Sequence, residues 1–348
     1  MQMNRRSGKV NTNMLIGVLV TAAVVVGIVS VVKLDVAGKK GSGLSSEFKY
    51  DIAKLAYVDP NLILYEESVR PIGTNFTAAR SIAVDAKGSI YVAGDKSVRI
   101  FTADGDLAGE IDLGRTPGCL AVAADGAIFV GLRDHIEIYD AQGRSLASWS
   151  SLGPDAILTS IGVSDADVFV ADAGNRVVVR YDREGNVVAQ IGKRDPERNI
   201  PGFVVPSAYF DLAVSGDGLL RAVNPGRLRV DAYTFEGDFE FSWGRSSAEI
   251  DGFCGCCNPV NIAVLPGGGF VTCEKGLVRV KIFSSDGEFQ SVVAGPAQLV
   301  RNGDVRVCDL PEECQSGGFD VAVDSTGRIY VLDTIKNVVR VFTKMKGR

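Results

Sequence analysis

The chain has 348 residues, 40 of them glycine, and a formal charge of −5. Glycine stands well above the average of about 7%, as turn-dense β-structure requires, and the length suits one large all-β domain. Mild acidity, with no basic stripe interleaved with aromatics, argues against a nucleic-acid surface.

Residues 1–13 carry Arg5, Arg6 and Lys9 and read as a cytoplasmic tail. Residues 14–32, MLIGVLVTAAVVVGIVSVV, form a low-polarity run without interruption. At 1.5 Å per residue the run reaches about 28 Å, close to the thickness of the bilayer core. It exceeds the apolar stretch of a secretory signal, and Val36-Ala37-Gly38 makes a poor cleavage site. An uncleaved transmembrane signal anchor over residues 14–33 is expected. Lys33, Lys39 and Lys40 follow the run, so basic residues flank it on both sides. A tail with three basic residues and an amino terminus translocates unfavourably. That places the N-terminus in the cytoplasm and the rest of the chain on the extracytoplasmic, periplasmic side. Residues 34–61 read as a tether, flexible over the Gly-, Ser- and Lys-rich stretch 39–46. Residues 46–56 have room for one short helix.

From residue 62 the chain repeats. Six apolar strands end alike: Ile82-Ala83-Val84, Leu120-Ala121-Val122, Ile161-Gly162-Val163, Leu212-Ala213-Val214, Ile262-Ala263-Val264 and Val321-Ala322-Val323. Each is followed by a polar turn, a second strand such as Ile90-Tyr91-Val92, and another turn. A third, alternating strand comes next, such as Val98-Arg99-Ile100-Phe101. Hairpins at Gly105, Gly143, Gly185, Gly237 and Gly287 then open a fourth strand. A strand repeat of about 40 to 50 residues predicts a β-propeller, here six-bladed over residues 62–345. The last copy lacks a fourth strand, and the orphan segment Leu62-Ile63-Leu64-Tyr65 is expected to supply it, closing the ring.

The stretch from Asp85 to Ala93, Asp-x-x-Gly-x-Ile-Tyr-Val-Ala, resembles an NHL repeat, as does Val-Ala-Asp-Ala-Gly-Asn-Arg-Val from Val170 to Val177. The second and fourth copies depart from that pattern at residues 131–135 and 224–227. The resemblance covers roughly residues 62 to 343 and implies the propeller fold. The NHL family includes pure binding scaffolds and a few enzymes. Its amidating lyases use a histidine-rich zinc site, which a chain with His135 alone does not supply.

Of seven cysteines, Cys119 opens an inner strand and reads as a small core residue. Cys254, Cys256, Cys257, Cys273, Cys308 and Cys314 all fall in the fifth repeat and the approach to the sixth. The loop leading into a blade and the turn between its second and third strands emerge on one face. All six thiols are therefore expected together near the channel mouth, with Asn258, Glu274 and Lys275 beside them. Three chemistries fit. Six cysteines in an oxidising compartment suit disulfides. Cys254, Cys256, Cys257 and Cys273 offer thiolates to zinc, copper(I) or an iron–sulfur cluster, although Cys-x-Cys-Cys is not the common Cys-x-x-Cys spacing. The neighbours Cys256 and Cys257 suit reversible redox chemistry. Cys-Gly-Cys-Cys-Asn-Pro, with Thr-Cys-Glu-Lys-Gly and Arg-Val-Lys downstream, resembles a pattern in bacterial membrane-anchored NHL proteins.

Asp95, Asp134, Asp172, Glu274 and Asp333 occupy equivalent turns. They suit either a ring of calcium ligands or local turn hydrogen bonds, the second being favoured. No phosphate-binding loop, dinucleotide fingerprint or nucleophile elbow occurs in a strand–turn–helix context. The expected function is therefore a membrane-tethered binding scaffold for a protein, peptide or small ligand. The alternative is a metal- or disulfide-based redox protein using the cysteine cluster.

Overall fold

A computed structural model describes residues 12–33, 52–67, 70–300 and 318–347. They fall into two compact units, residues 1–51 and 52–348. In the first unit, a 22-residue helix spans Thr12–Lys33. Its described side chains, Met14 and those of residues 16–26, are exposed. Among the described residues no helix is long and apolar enough to cross a membrane.

The second unit is all-β. Six antiparallel sheets form six blades, five of them meanders of strands in sequence order. Blade one comprises Ala79–Val84, Ile90–Gly94, Ser97–Phe101 and Leu107–Asp112. Blades two to five repeat this from Cys119–Val122, Leu158–Val163, Leu212–Val214 and Asn261–Val264. Blade six contributes Asp320–Val323, Ile329–Asp333 and Val338–Lys344.

Burial follows strand position. The second strands are buried throughout in blades one, two, three, five and six, because both of their faces meet neighbouring blades. The fourth strands are largely exposed in blades one to four. The repeated hairpin glycine joins one blade to the one before it. Gly185 has φ 93° and lies against Trp149 of blade two; Gly287 has φ 82° and lies against Trp243 of blade four. A side chain there would meet the indole, and the left-handed backbone favours glycine independently.

The ring closes as a composite blade, three residues later than the sequence suggests. Tyr65–Glu67 pairs antiparallel with Val338–Lys344, Tyr65 opposite Lys344 and Glu67 opposite Phe342. Ile72–Gly73 pairs further along the same strand. Leu62 instead ends a 3₁₀ turn, Pro60–Leu62, capped by the Asp59 carboxylate. Ile63 bridges to Val292 of blade five, and the Leu64 N–H donates to the Val292 carbonyl at 3.2 Å. Ile63 and the Leu64 N–H thus turn to blade five, while the Leu64 carbonyl accepts from Met345 N at 2.9 Å and already begins the pairing with blade six. The tether expected over residues 34–61 also ends early, since the short helix Ile52–Ala56 already belongs to the propeller unit; residues 46–51 lie outside the described residues.

Candidate functional site

The first strands of all six blades line a central channel of about 320 Å³. The residue just before each apolar tripeptide forms a ring: Ser81, Cys119, Ser160, Asp211, Asn261 and Asp320. Five of these reach the next blade. Ser81 Oγ accepts from Leu120 N at 3.3 Å, Ser160 Oγ from Leu212 N at 3.3 Å, Asp211 Oδ2 from Ile262 N at 2.6 Å, and Asp320 Oδ2 from Ile82 N at 2.8 Å. Asn261 Nδ2 donates to the Phe319 carbonyl at 2.6 Å. Cys119 holds the sixth place; its thiol is buried, as a small core residue should be.

The two channel carboxyls perturb each other. Burial, with the Asp320 charge nearby, pushes Asp211 up to about 7, and burial pushes Asp320 up to about 6. Both folded values lie above the ordinary carboxyl value. The native state therefore holds protons that the unfolded chain has released between roughly pH 4 and pH 7. This contribution is fully present below the unfolded value and is lost as pH rises through 6 to 7. Denaturant melts should show Asp211→Asn/Asp320→Asn gaining stability relative to the native sequence as pH rises from 5 to 8. A difference that stays flat across that range would mean that the two carboxyls titrate alike in the folded and unfolded chain.

Above the channel, on the face of the leading loops, a cavity of about 480 Å³ opens. Its lining includes Arg80, Thr159, Ser207, Tyr209, Asn261 and Thr334. Thr159 is held by donating to the Phe210 carbonyl at 2.6 Å. A second cavity, of about 550 Å³, lies over blade one, and Arg80 lines both. Arg80 is exposed and has no ion pair or hydrogen bond among the described residues.

The loop 246–257 borders this mouth and is held from below by buried charge. Glu274 receives Arg279 at 3.0 and 2.9 Å and Lys281 at 2.7 Å, and all three side chains are almost fully buried. The two cations also hold loop carbonyls. Arg279 donates to Ala248 at 3.2 Å, and Lys281 donates to Ile250 and Gly252 at 3.1 and 2.6 Å. Glu274 Oε2 accepts from Cys254 N at 3.3 Å. Burial opposes ionisation of Glu274, but Lys281 and Arg279 outweigh it and hold the carboxyl below its ordinary value. Burial draws Lys281 down to about 8 against the pull of Glu274. Asn258 completes the clamp. Its Nδ2 donates to the Cys254 and Lys275 carbonyls at 2.6 and 3.0 Å, and its Oδ1 accepts from Lys275 N at 2.9 Å.

The structure divides the sequence-predicted thiols. Cys254, Cys256 and Cys257 sit in the clamped loop, with Asn258, Glu274 and Lys275 against it. Cys273 does not join them. It pairs with Asn261 across the sheet and packs in the apolar cluster between blades five and six, with Val260, Val271 and Phe319. Cys308 and Cys314 lie outside the described residues. Cys254, Cys256, Cys257 and Cys273 are all free thiols in this structure. The proposed ligand set of Cys254, Cys256, Cys257 and Cys273 does not fit a four-sulfur centre, because one member is sealed in the core. Among the described residues no group of three or more Cys, His, Asp or Glu is placed to hold a metal.

The turn carboxylates act locally. Asp95 accepts from Thr77 N and Ala78 N at 2.9 Å, and Asp172 from Ile157 N, Gly174 N and Asn175 N at 3.0 to 3.1 Å. Asp333 caps Ile335 N and Lys336 N. Asp134 accepts from Ser151 Oγ and faces His135 Nδ1 at 2.8 Å.

The fold is shared with many solved propellers. The chain is similar to the WD40 β-propeller domain of Doa1, at TM-score 0.52 and 17% identity, covering 77% of this chain and 79% of that one. It is also similar to a catalytically inactive virginiamycin B lyase from Staphylococcus aureus with quinupristin, at TM-score 0.54, 14% identity and 81% and 100% coverage. A gluconolactonase from Xanthomonas campestris, XC5397, matches at TM-score 0.56 and 15% identity over 79% and 89%. Likenesses at this identity show the fold alone. No protein-family model matches the sequence, and no curated protein matches it.

Sequence reasoning passed over Arg80, Ser207, Tyr209 and the inner ring. The ring was open to view, since its members precede the aligned tripeptides. Tyr209 and Ser207 lie in an irregular leading loop with no repeat pattern to flag them.

Proposed function

We propose that this chain is a binding propeller of the NHL type whose ligand seats in the channel-mouth cavity, beside the thiol-bearing loop. The observation that carries this reading is the shared wall between cavity and loop. Lys275, clamped by Asn258, has its ammonium 4.6 Å from the centre of the Tyr209 ring. Tyr209 lines the cavity and packs against Gly318, where a methyl group would meet its ring. The ligand class that suits these walls is a peptide or small molecule with an apolar group and a carboxylate. The apolar part meets Tyr209 and Ile157, and the carboxylate meets the unpaired Arg80 guanidinium. The apolar run of residues 14–32 supports tethering to the cytoplasmic membrane with the propeller on the periplasmic side.

Short peptides and small aromatic carboxylates, screened by thermal shift and calorimetry, should include binders. Their affinity should fall tenfold or more in Ala208→Trp, which fills the cavity from an exposed wall position, and should also fall in Arg80→Gln. Binding indifferent to Ala208→Trp would move the site elsewhere. A reporter fused after Arg348 should be active only if it works outside the cytoplasm; cytoplasmic activity would reverse the orientation.

A further inference from the structure

Two of the loop thiols stand together. The Sγ atoms of Cys256 and Cys257 are 3.4 Å apart. Cys256 is exposed and Cys257 is buried, so an outside reagent meets the first and the second waits behind it. The loop is fixed by Asn258 and Glu274, so this juxtaposition is held in place from below. Gly255, at φ 89°, makes the turn that presents them. A bond needs the sulfurs to approach to about 2.05 Å, a closure of roughly 1.4 Å that draws on side-chain rotation together with adjustment of the peptide between them.

We propose that Cys256 and Cys257 form a thiol–disulfide exchange pair whose partners are disulfides of small thiol compounds or cysteine-bearing peptides reaching the channel-mouth face. The Cys256 thiolate attacks one sulfur of R–S–S–R′. A Cys256–S–S–R bond forms, the R–S–S–R′ bond breaks, and R′S⁻ leaves and takes up the proton released by Cys256. Cys257 then gives up its proton and attacks Sγ of Cys256. RS⁻ leaves with that proton, and the ring disulfide closes. Two electrons pass from the pair to the disulfide, which ends as RSH and R′SH. A dithiol reductant runs the sequence backwards.

The charge around the pair suits this division of labour. Burial holds the Cys257 thiol above its ordinary value, the neighbouring Lys275 charge opposes that rise, and Cys257 rests protonated until the mixed disulfide forms beside it. Lys275 is the cation whose field acts on both sulfurs, and its own ammonium is disfavoured by burial and supported by them. Tyr209 and Ser207 complete the surroundings of Cys257. The pair needs no ligand in the cavity, so this inference stands apart from the binding reading.

The test is intact-mass and peptide mapping of the reduced full chain in detergent after exposure to oxidised glutathione, then to dithiothreitol. The expected product has lost two hydrogens, carries no glutathione, maps to a Cys256–Cys257 bond and returns to the dithiol with dithiothreitol. Cys257→Ser should stop at one glutathionyl group on Cys256. Cys256→Ser should react at least tenfold more slowly. Circular dichroism melts of both variants should match the parent, since serine changes little volume. No reaction, a glutathione adduct that persists on the parent protein, or a bond from either residue to another cysteine would each overturn the proposal.

Discussion

Replacing Glu274 by glutamine should cost the domain about 3–5 kcal/mol, the loss expected when a buried ion pair is broken from one side. Glutamine keeps the shape and one acceptor but removes the charge that holds two cations in a dry site. Arg279 and Lys281 are each about 1% exposed or less, so neither reaches water without moving the loop. Lys281 also lies 4.5 Å from the centre of the Phe253 ring, which helps a cation but does not replace a carboxylate. The loss should therefore be partly recovered in Glu274→Gln/Lys281→Met, where one of the two stranded charges becomes an apolar chain. A double-mutant cycle on denaturant midpoints measures that recovery. The same variant should speed alkylation of Cys256, because Cys254 N loses its carboxylate partner and the loop carbonyls lose well-placed donors. A loss below about 1 kcal/mol would place the triad among exposed ion pairs and leave the loop to be held by Asn258 alone.

How much of this was open to sequence reasoning differs by level. The propeller was legible because the repeated tripeptide, second strand and hairpin glycine are each forced by packing. The second strand is buried on both faces, and Gly185 and Gly287 sit where a side chain would meet a tryptophan. The meeting of the 254–257 loop with the Glu274-Lys275 turn followed from strand direction alone. The sorting of thiols did not, although strand alternation contained it. Val271 and Cys273 share one face of their strand, and that face is the contact with blade six. Leu62-Ile63-Leu64 misled for a different reason. Apolar character marks a buried segment but not its partner: Ile63 bridges to Val292 of blade five, and only from the Leu64 carbonyl onward does the chain pair with blade six. The real closing strand, Tyr65–Glu67, carries two exposed glutamates and so reads as polar. The charged triad was half visible. Arg279 and Lys281 alternate with valine and isoleucine, a pattern that ordinarily puts charge in water, and only the loop folded over them reverses it.

Chain beginning at Ile52 should melt like the propeller of the full chain, whereas chain beginning at Thr74 should fail to form a stable domain. The second truncation removes Tyr65 and Ile72, both about 7% exposed. Loss of a buried aromatic costs about 3–5 kcal/mol and of a buried isoleucine about 2–5. Together these approach the whole stability of an ordinary domain, about 5–15 kcal/mol. The truncation also strips the ladder from Val338–Lys344 and leaves Arg340 without Glu67, its bidentate partner at 2.9 and 2.6 Å. A bare, largely apolar edge then faces solvent, which favours pairing with other chains. The expected readouts are loss of a cooperative melt and a shift to large species in size-exclusion chromatography. A synthetic peptide covering residues 58–73, added during refolding, should restore the monomeric peak by supplying the missing strand in trans. The native edge would then be paired as it is in the intact chain. Equal melting of the two truncations would mean that blade six stands on three strands, and that the N-terminal pairing covers an edge the domain does not need covered.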